Sequence, residues 1–194
     1  MNLNGYKIIL ASSSPRRIEC LKKINIPFKV KKIKYEENFN KKLKGHLIPK
    51  YIVKKKAEIF IDKIEKKELL ITADTIVWHK NKCLGKPKNK IEAVNMLKRL
   101  SNKEHEVITA VGFLTKNNWE VIHKTTKIKF GKIFENDIIN YTEKDKPFDK
   151  AGSYGIQDWF GLIAVEHING SYSNVVGLPV YEVFHKIKEI ISKN

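Results

Sequence analysis

The sequence predicts a mixed α/β fold, a central sheet flanked by helices. Three observations carry this. Short apolar runs fit for buried strands interleave with segments of helical periodicity. Two long segments, 106–115 and 119–130, alternate apolar and polar residues and read as an antiparallel pair. The alternation of strand and helix is not strict, which argues against a purely parallel, doubly wound sheet.

Lys7-Ile8-Ile9-Leu10-Ala11 reads as the first strand. Ser14 then takes the N-cap and Pro15 the first helical position, where a missing N–H costs nothing. Ile18, Leu21 and Ile24 repeat at helical spacing until Asn25 and Pro27 end the helix. Phe28-Lys29-Val30 resumes as a strand, and a helix over 49–64 carries Ile52, Val53, Ile59 and Phe60 as its apolar stripe. Leu69 to Ala73 forms a buried strand that ends at Asp74-Thr75. Ile76-Val77-Trp78 continues extended into a turn at 79–82. Gly85-Lys86-Pro87 breaks the chain before a helix over 90–100, with Ile91, Val94, Leu97 and Leu100 on one face. Asn117-Asn118 joins the antiparallel pair, a short helix spans 136–141, and residues 151–157 form a glycine-rich loop. A strand over 160–168, a turn at Asn169-Gly170 and a helix over 178–191 complete the chain.

Composition narrows the function classes. The 194 residues, 42% hydrophobic and 30% charged, suit a soluble globular protein. No internal repeat or low-complexity linker interrupts them, so one domain over 1–194 is expected. No apolar run reaches the ~18 residues of a membrane span, and residues 1–5 do not resemble a signal peptide. Cys20 and Cys83 then read as reduced thiols in a cytoplasm, with Cys20 on the apolar side of its helix. The net charge of +17 suggests a nucleic-acid binder, but its lysines are dispersed and lack the interleaved aromatics of a single-strand groove. A small polyanion such as a nucleoside triphosphate would feel the same field.

Against this background of lysine, only three arginines occur, and two are adjacent: Arg16 and Arg17. They follow a strand and three serines, Ser12, Ser13 and Ser14. A capped helix start offers unpaired N–H groups, hydroxyls can donate to phosphate oxygens, and guanidinium grips phosphate bidentately. The stretch is chemically a phosphate cradle, though without the Walker A pattern. An ordinary capped helix with exposed arginines is the alternative.

Asp74 at a strand terminus suits metal coordination or water activation, or a simple turn. Glu36 and Glu37 could hold a divalent cation or balance local charge. Lys56 and Lys86 are candidate phosphate ligands, Lys86 aimed by flanking Gly85 and Pro87. Gln157, ending the glycine-rich loop, can both donate to and accept from a nucleobase edge. The six histidines show no zinc-like spacing, and no covalent nucleophile motif is present.

In order, Ser-x-Ser-Pro-Arg-Arg (12–17), Ala-Asp-Thr-Ile-Val (73–77), Leu-Gly-Lys-Pro (84–87), Asp-Lys-Ala-Gly-x-Tyr-Gly-Ile-Gln (149–157) and Val-x-Gly-Leu-Pro (175–179) closely resemble the Maf family of nucleotide pyrophosphatases. The resemblance covers essentially the whole chain. It implies an elongated, strongly twisted sheet with a deep cleft, related to inosine triphosphatases. It also implies hydrolysis of a nucleoside triphosphate to monophosphate and pyrophosphate, a Mg²⁺ or Mn²⁺ requirement and a homodimer. Ser12, Arg16 and Arg17 would bind the triphosphate. Asp74 would be the catalytic acid and, with Glu37, hold the cation; Lys56 and Lys86 would complete the catalytic set. Tyr154-Gly155-Ile156-Gln157 resembles the branch acting on dTTP and UTP, with Thr75 beside base or phosphate. Two departures stand out: Thr72 replaces a glycine before Ala-Asp-Thr, and Trp159 follows where small residues are usual, so it could narrow the base pocket or stack on a base. The alternative implied by charge and by the family's history is a basic nucleic-acid-binding or cell-division regulatory protein with little activity.

Overall fold

The computed structural model describes residues 2–33, 35 and 38–193. Seven strands form one mixed sheet: β1 (Lys7–Ala11), β2 (Phe28–Val30), β3 (Glu68–His79), β4 (Lys82–Leu84), β5 (Glu104–Leu114), β6 (Trp119–Phe130) and β7 (Val165–Asn169). Their order is β2-β1-β3-β5-β6-β7, with β4 also on β3. The seven α-helices described are α1 (Pro15–Lys22), α2 (Leu47–Glu58), α3 (Lys90–Leu100), α4 (Glu135–Lys144), α5 (Trp159–Ala164), α6 (Tyr172–Val176) and α7 (Val180–Ser192).

β3 is the axis. One of its edges is zipped to β5 from Leu70↔Leu114 to Trp78↔Glu106. The other edge is shared. β1 runs parallel to its first half, ending at Ala11↔Thr72, and β4 runs antiparallel to its last residues, starting at Val77↔Leu84. Among the described residues, no strand pairs with residues 73–76 on that side.

Side chains alternate between the faces of a strand. Leu70 and Ile76 pack under α2, with Ile48, Ile52 and Ala57. Leu69, Ile71 and Ala73 face the other way, against Leu21 of α1 and Val183 and Ile187 of α7. Val77 continues that second face, packing with Leu97 of α3, Tyr141 of α4 and Phe160 of α5. Each fully buried Leu, Ile or Phe contributes roughly 1.5–3 kcal/mol, so both faces hold β3 firmly.

Three local expectations are corrected. Residues 160–168 are not one strand: Trp159–Ala164 is helical and the strand starts at Val165. The apolar run Phe160, Gly161, Leu162, Ile163, Ala164 gives no period to separate the two. The second helix starts at Leu47 and ends at Glu58, followed by a short 3-10 turn over Ile61–Lys63. Asp74 stands in the middle of β3 rather than at its end, because the strand runs unbroken from Glu68 to His79.

Candidate functional site

The interruption in strand pairing beside residues 73–76 opens a cavity of about 570 Å³. Ser12, Arg16, Arg17, Lys56, Asp74, Thr75 and Lys86 all line it. A smaller hollow of about 60 Å³ adjoins it, sharing Ser14, Arg16, Arg17, Thr75, Lys86 and Asp149, and adds Tyr154 and Gln157. The described candidate site residues therefore line this cavity or the hollow beside it. Glu37, and its rival Glu36, lie outside the described residues.

Asp74 and Thr75 are consecutive and so point to opposite faces of β3. On the α2 face, Lys56 Nζ donates to Asp74 Oδ1 at 2.8 Å, with the Ala73 carbonyl at 3.5 Å. Both residues are buried, Lys56 at 7% and Asp74 at 3% exposure, which a charged pair tolerates only when mutually compensated. Lys56 reaches the acid because α2 lies directly on β3. Next to it, Thr72 donates its hydroxyl to the Val53 carbonyl of α2 at 3.1 Å. That hydroxyl binds helix to sheet and does not enter the cavity lining.

On the opposite face, Arg17 meets a carbonyl and a hydroxyl. Its Nε donates to the Gly177 carbonyl at 3.0 Å and its Nη2 to Thr75 Oγ1 at 3.1 Å. Gly177 has φ +125°, a conformation side chains disfavour, and this turn delivers its carbonyl to the guanidinium. Arg16 instead meets a carboxylate: Nη1 donates to Asp149 Oδ2 at 2.6 Å and Nη2 to the Asp149 carbonyl at 3.2 Å. Partial burial pushes the Asp149 carboxyl up, but hydrogen bonds from Arg16 and Lys150 outweigh it and hold the group below its ordinary value.

Before α1, Ser14 is the N-cap as expected, but its side chain makes no capping bond. Ser12 Oγ accepts from the Ser14 N–H at 3.2 Å instead and turns the chain into the helix. Lys86 is exposed on the rim, in the connection between β4 and α3. Gly152 locks the neighbouring loop to that rim, its N–H bonded to the Gly85 carbonyl at 3.0 Å. Gly152 has φ +69°, and a Cβ there would come within 2.8 Å of Val77 Cγ2, so no larger residue lets the loop lie this close to β3. Gln157 is exposed beside the smaller hollow, while Trp159 is 46% exposed and lines neither hollow. Behind the loop, Tyr154 OH meets buried His105 Nε2 at 2.8 Å. Burial, with some help from His79, depresses His105 to about 3.

Among the described residues no group of three or more His, Cys, Asp and Glu could hold a metal ion. Of the described carboxylates lining the cavity, Asp149 is engaged by Arg16 and Asp74 stands over the larger chamber. Magnesium commonly uses one or two carboxylates together with substrate phosphates. Among the described residues, the donor set fits a cation shared with a polyphosphate.

Sequence reasoning missed two contributors. Asp149 and Gly177 lay inside quoted motifs without a role, because which side chains they face is a tertiary fact.

A family model described as Maf-like protein matches residues 7–190. The dTTP/UTP pyrophosphatase of Flavobacterium psychrophilum is 51% identical over 178 residues, covering 92% of this chain and 91% of that protein. The dTTP/UTP pyrophosphatase of Flavobacterium johnsoniae is 44% identical over 189 residues, 97% of each. Among solved structures, a HAM1 protein from Coxiella burnetii is 12% identical, covering 95% of this chain and 99% of that one, with a TM-score of 0.48. With the match spanning nearly every residue and two relatives well above 40% identity, the chain belongs to the Maf-like protein family.

Proposed function

We propose that this chain hydrolyses nucleoside triphosphates, dTTP and UTP foremost, to the monophosphate and pyrophosphate. The observation that carries the reading is the convergence of Arg16, Arg17, Lys56, Lys86 and Asp74 on one cavity. The names of the two relatives support the pyrimidine assignment. The cations gather inside a hollow of small-molecule size, which favours a nucleotide over a nucleic-acid polymer.

The reaction is in-line attack of water on the α-phosphorus with pyrophosphate leaving. Asp74 orients the water and takes its proton, and Lys56 at 2.8 Å fixes the acid's position. Arg16, Arg17 and Lys86 bind the phosphate chain and stabilise charge developing on the leaving group, with Ser12 at the strand end beside them. Arg16 must exchange Asp149 for phosphate as substrate enters. The smaller hollow, with Gln157 at its rim and Thr75 between the chambers, receives the base. Asp74 and, in this reading, Glu37 would hold Mg²⁺ or Mn²⁺, which would supply further neutralisation of phosphate charge.

One domain over 1–194, a homodimer and a cytoplasmic setting belong to the same reading. No helix among the described residues is long and apolar enough to cross a membrane. The deciding experiment measures pyrophosphate release from canonical and modified nucleotides with Mg²⁺ and with Mn²⁺. Release from dTTP and UTP is expected; no release from any triphosphate would refute the assignment. Sedimentation velocity tests the dimer.

A further inference from the structure

The Thr75 hydroxyl lies between Arg17 and the protein interior, and counting protons fixes its direction. Thr109 Oγ1 is 2.9 Å from the backbone carbonyl of Asn174, which can only accept. Thr109 has one hydroxyl proton and spends it there. It therefore accepts from Thr75 Oγ1 at 2.9 Å. The single Thr75 proton is thus turned inward, the Gly177 carbonyl at 3.5 Å being the poorer acceptor, and its oxygen accepts from Arg17 Nη2. The chain runs one way: Arg17 to Thr75 to Thr109 to Asn174.

Its far end is rigid. Thr109 and Asn174 are both fully buried, and neither lines the cavity. Asn174 Nδ2 donates to the Val107 carbonyl at 3.0 Å and to Thr126 Oγ1 at 2.9 Å, clamping α6 to β5 and β6. The same short helix leads into Gly177, whose carbonyl takes Arg17 Nε. Two bonds at different guanidinium nitrogens, both traced back to α6, fix the plane of the ring-like fork as well as its position.

We propose that Thr109 is a positioning residue for Arg17: through Thr75 it turns the guanidinium into the orientation that grips the nucleotide's phosphates. Asn174 anchors the arrangement, giving the Val-x-Gly-Leu-Pro segment and the residues before it the task of mounting this arginine. The inference rests on the reading of Arg17 as a triphosphate ligand.

Thr109→Val removes the hydroxyl and keeps the shape. The fold tolerates it because the Asn174 carbonyl still accepts from the Gly177 N–H at 3.1 Å. The Thr75 hydroxyl then turns toward the Gly177 carbonyl and competes with Arg17. The expected result is a fall of about tenfold in kcat/KM for dTTP, with most of the loss recovered in Thr109→Ser. The double-mutant cycle with Arg17→Lys is decisive: in that background Thr109→Val should cost less than about twofold more. The same cycle is read on binding of inorganic triphosphate by calorimetry, which needs no turnover. Additive losses in both measurements, or equal losses in Thr109→Val and Thr109→Ser, would overturn the proposal. A wild-type chain that binds triphosphate but releases no pyrophosphate would refute the enzymatic reading instead, and the binding cycle would still decide this one.

Discussion

Asp74 and Thr75 are neighbours in sequence, yet they serve two differently built halves of one site. On the α2 face a carboxylate meets an ammonium, both buried. On the other face a guanidinium is oriented by a carbonyl and a hydroxyl. An ion pair fixes a side chain by partly cancelling its charge. A carbonyl or a hydroxyl fixes a side chain without itself cancelling charge. The first arrangement suits an acid that must stay in one place, and the second suits a cation that must attract phosphate. Arg16 is intermediate, held by a carboxylate that is itself 57% exposed in its side chain, and therefore by a pair that water and salt can loosen.

The contrast predicts how each half breaks. The largest effect belongs to the acid. Asp74→Asn should lower kcat by about 10³-fold or more while dTTP binding, followed by calorimetry, changes little. Near wild-type turnover would remove Asp74 from the chemistry. Lys56→Met leaves the buried carboxylate without its ammonium, and thermal or urea unfolding should show a loss of about 3 kcal/mol. A loss below ~1 kcal/mol would mean that the pair is far better solvated than its burial suggests.

The opposite face should fail through protons. His105 is kept neutral by burial, so the unfolded chain binds a proton that the folded one refuses between the ordinary histidine value and about 3. Stability then rises with pH across that window, and it is lost as pH falls below about 6.5. By pH 5 the loss attributable to His105 is about 2 kcal/mol. His105→Phe should flatten this slope in urea titrations; an unchanged slope would assign the acid sensitivity elsewhere. The smallest effect concerns Arg16. Asp149→Ala removes a competitor for phosphate, and KM for dTTP should fall by about two- to fivefold with kcat little altered. Because the Asp149 carboxyl is held below its ordinary value, the pair stays intact until pH drops beneath the usual carboxylate range. A rise in KM would show that Asp149 aims Arg16 more than it occupies it.

These two halves were unequally legible. The strands over 7–11 and 119–130 and the helix over 90–100 were readable to the residue, the first as a short apolar run and the other two from long periodicities with turn chemistry at their ends. Residues 160–168 were not, since five consecutive apolar or small residues offer no phase. In the site, unusual chemistry marked Arg16, Arg17 and Asp74, and their meeting is seen in the cavity. Lys56 resembled its many lysine neighbours until α2 was seen to lie on β3. Thr109 is one threonine in an apolar strand, and nothing short of its partners distinguishes it. Sequence announces residues whose chemistry is costly to keep; those that merely hold them in place emerge only in three dimensions.

The site owes its existence to an abbreviated pairing. β1 stops at Ala11 and β4 pairs with β3 only from Val77 onward, so among the described residues no strand flanks residues 73–76 on that side. Extending either neighbour along all of that stretch would zip the flank closed and seal the chamber from within the sheet. Catalytic capacity here is set by where two short ribbons of backbone give out, a limit on insertions at those ends as strict as any on the charged side chains.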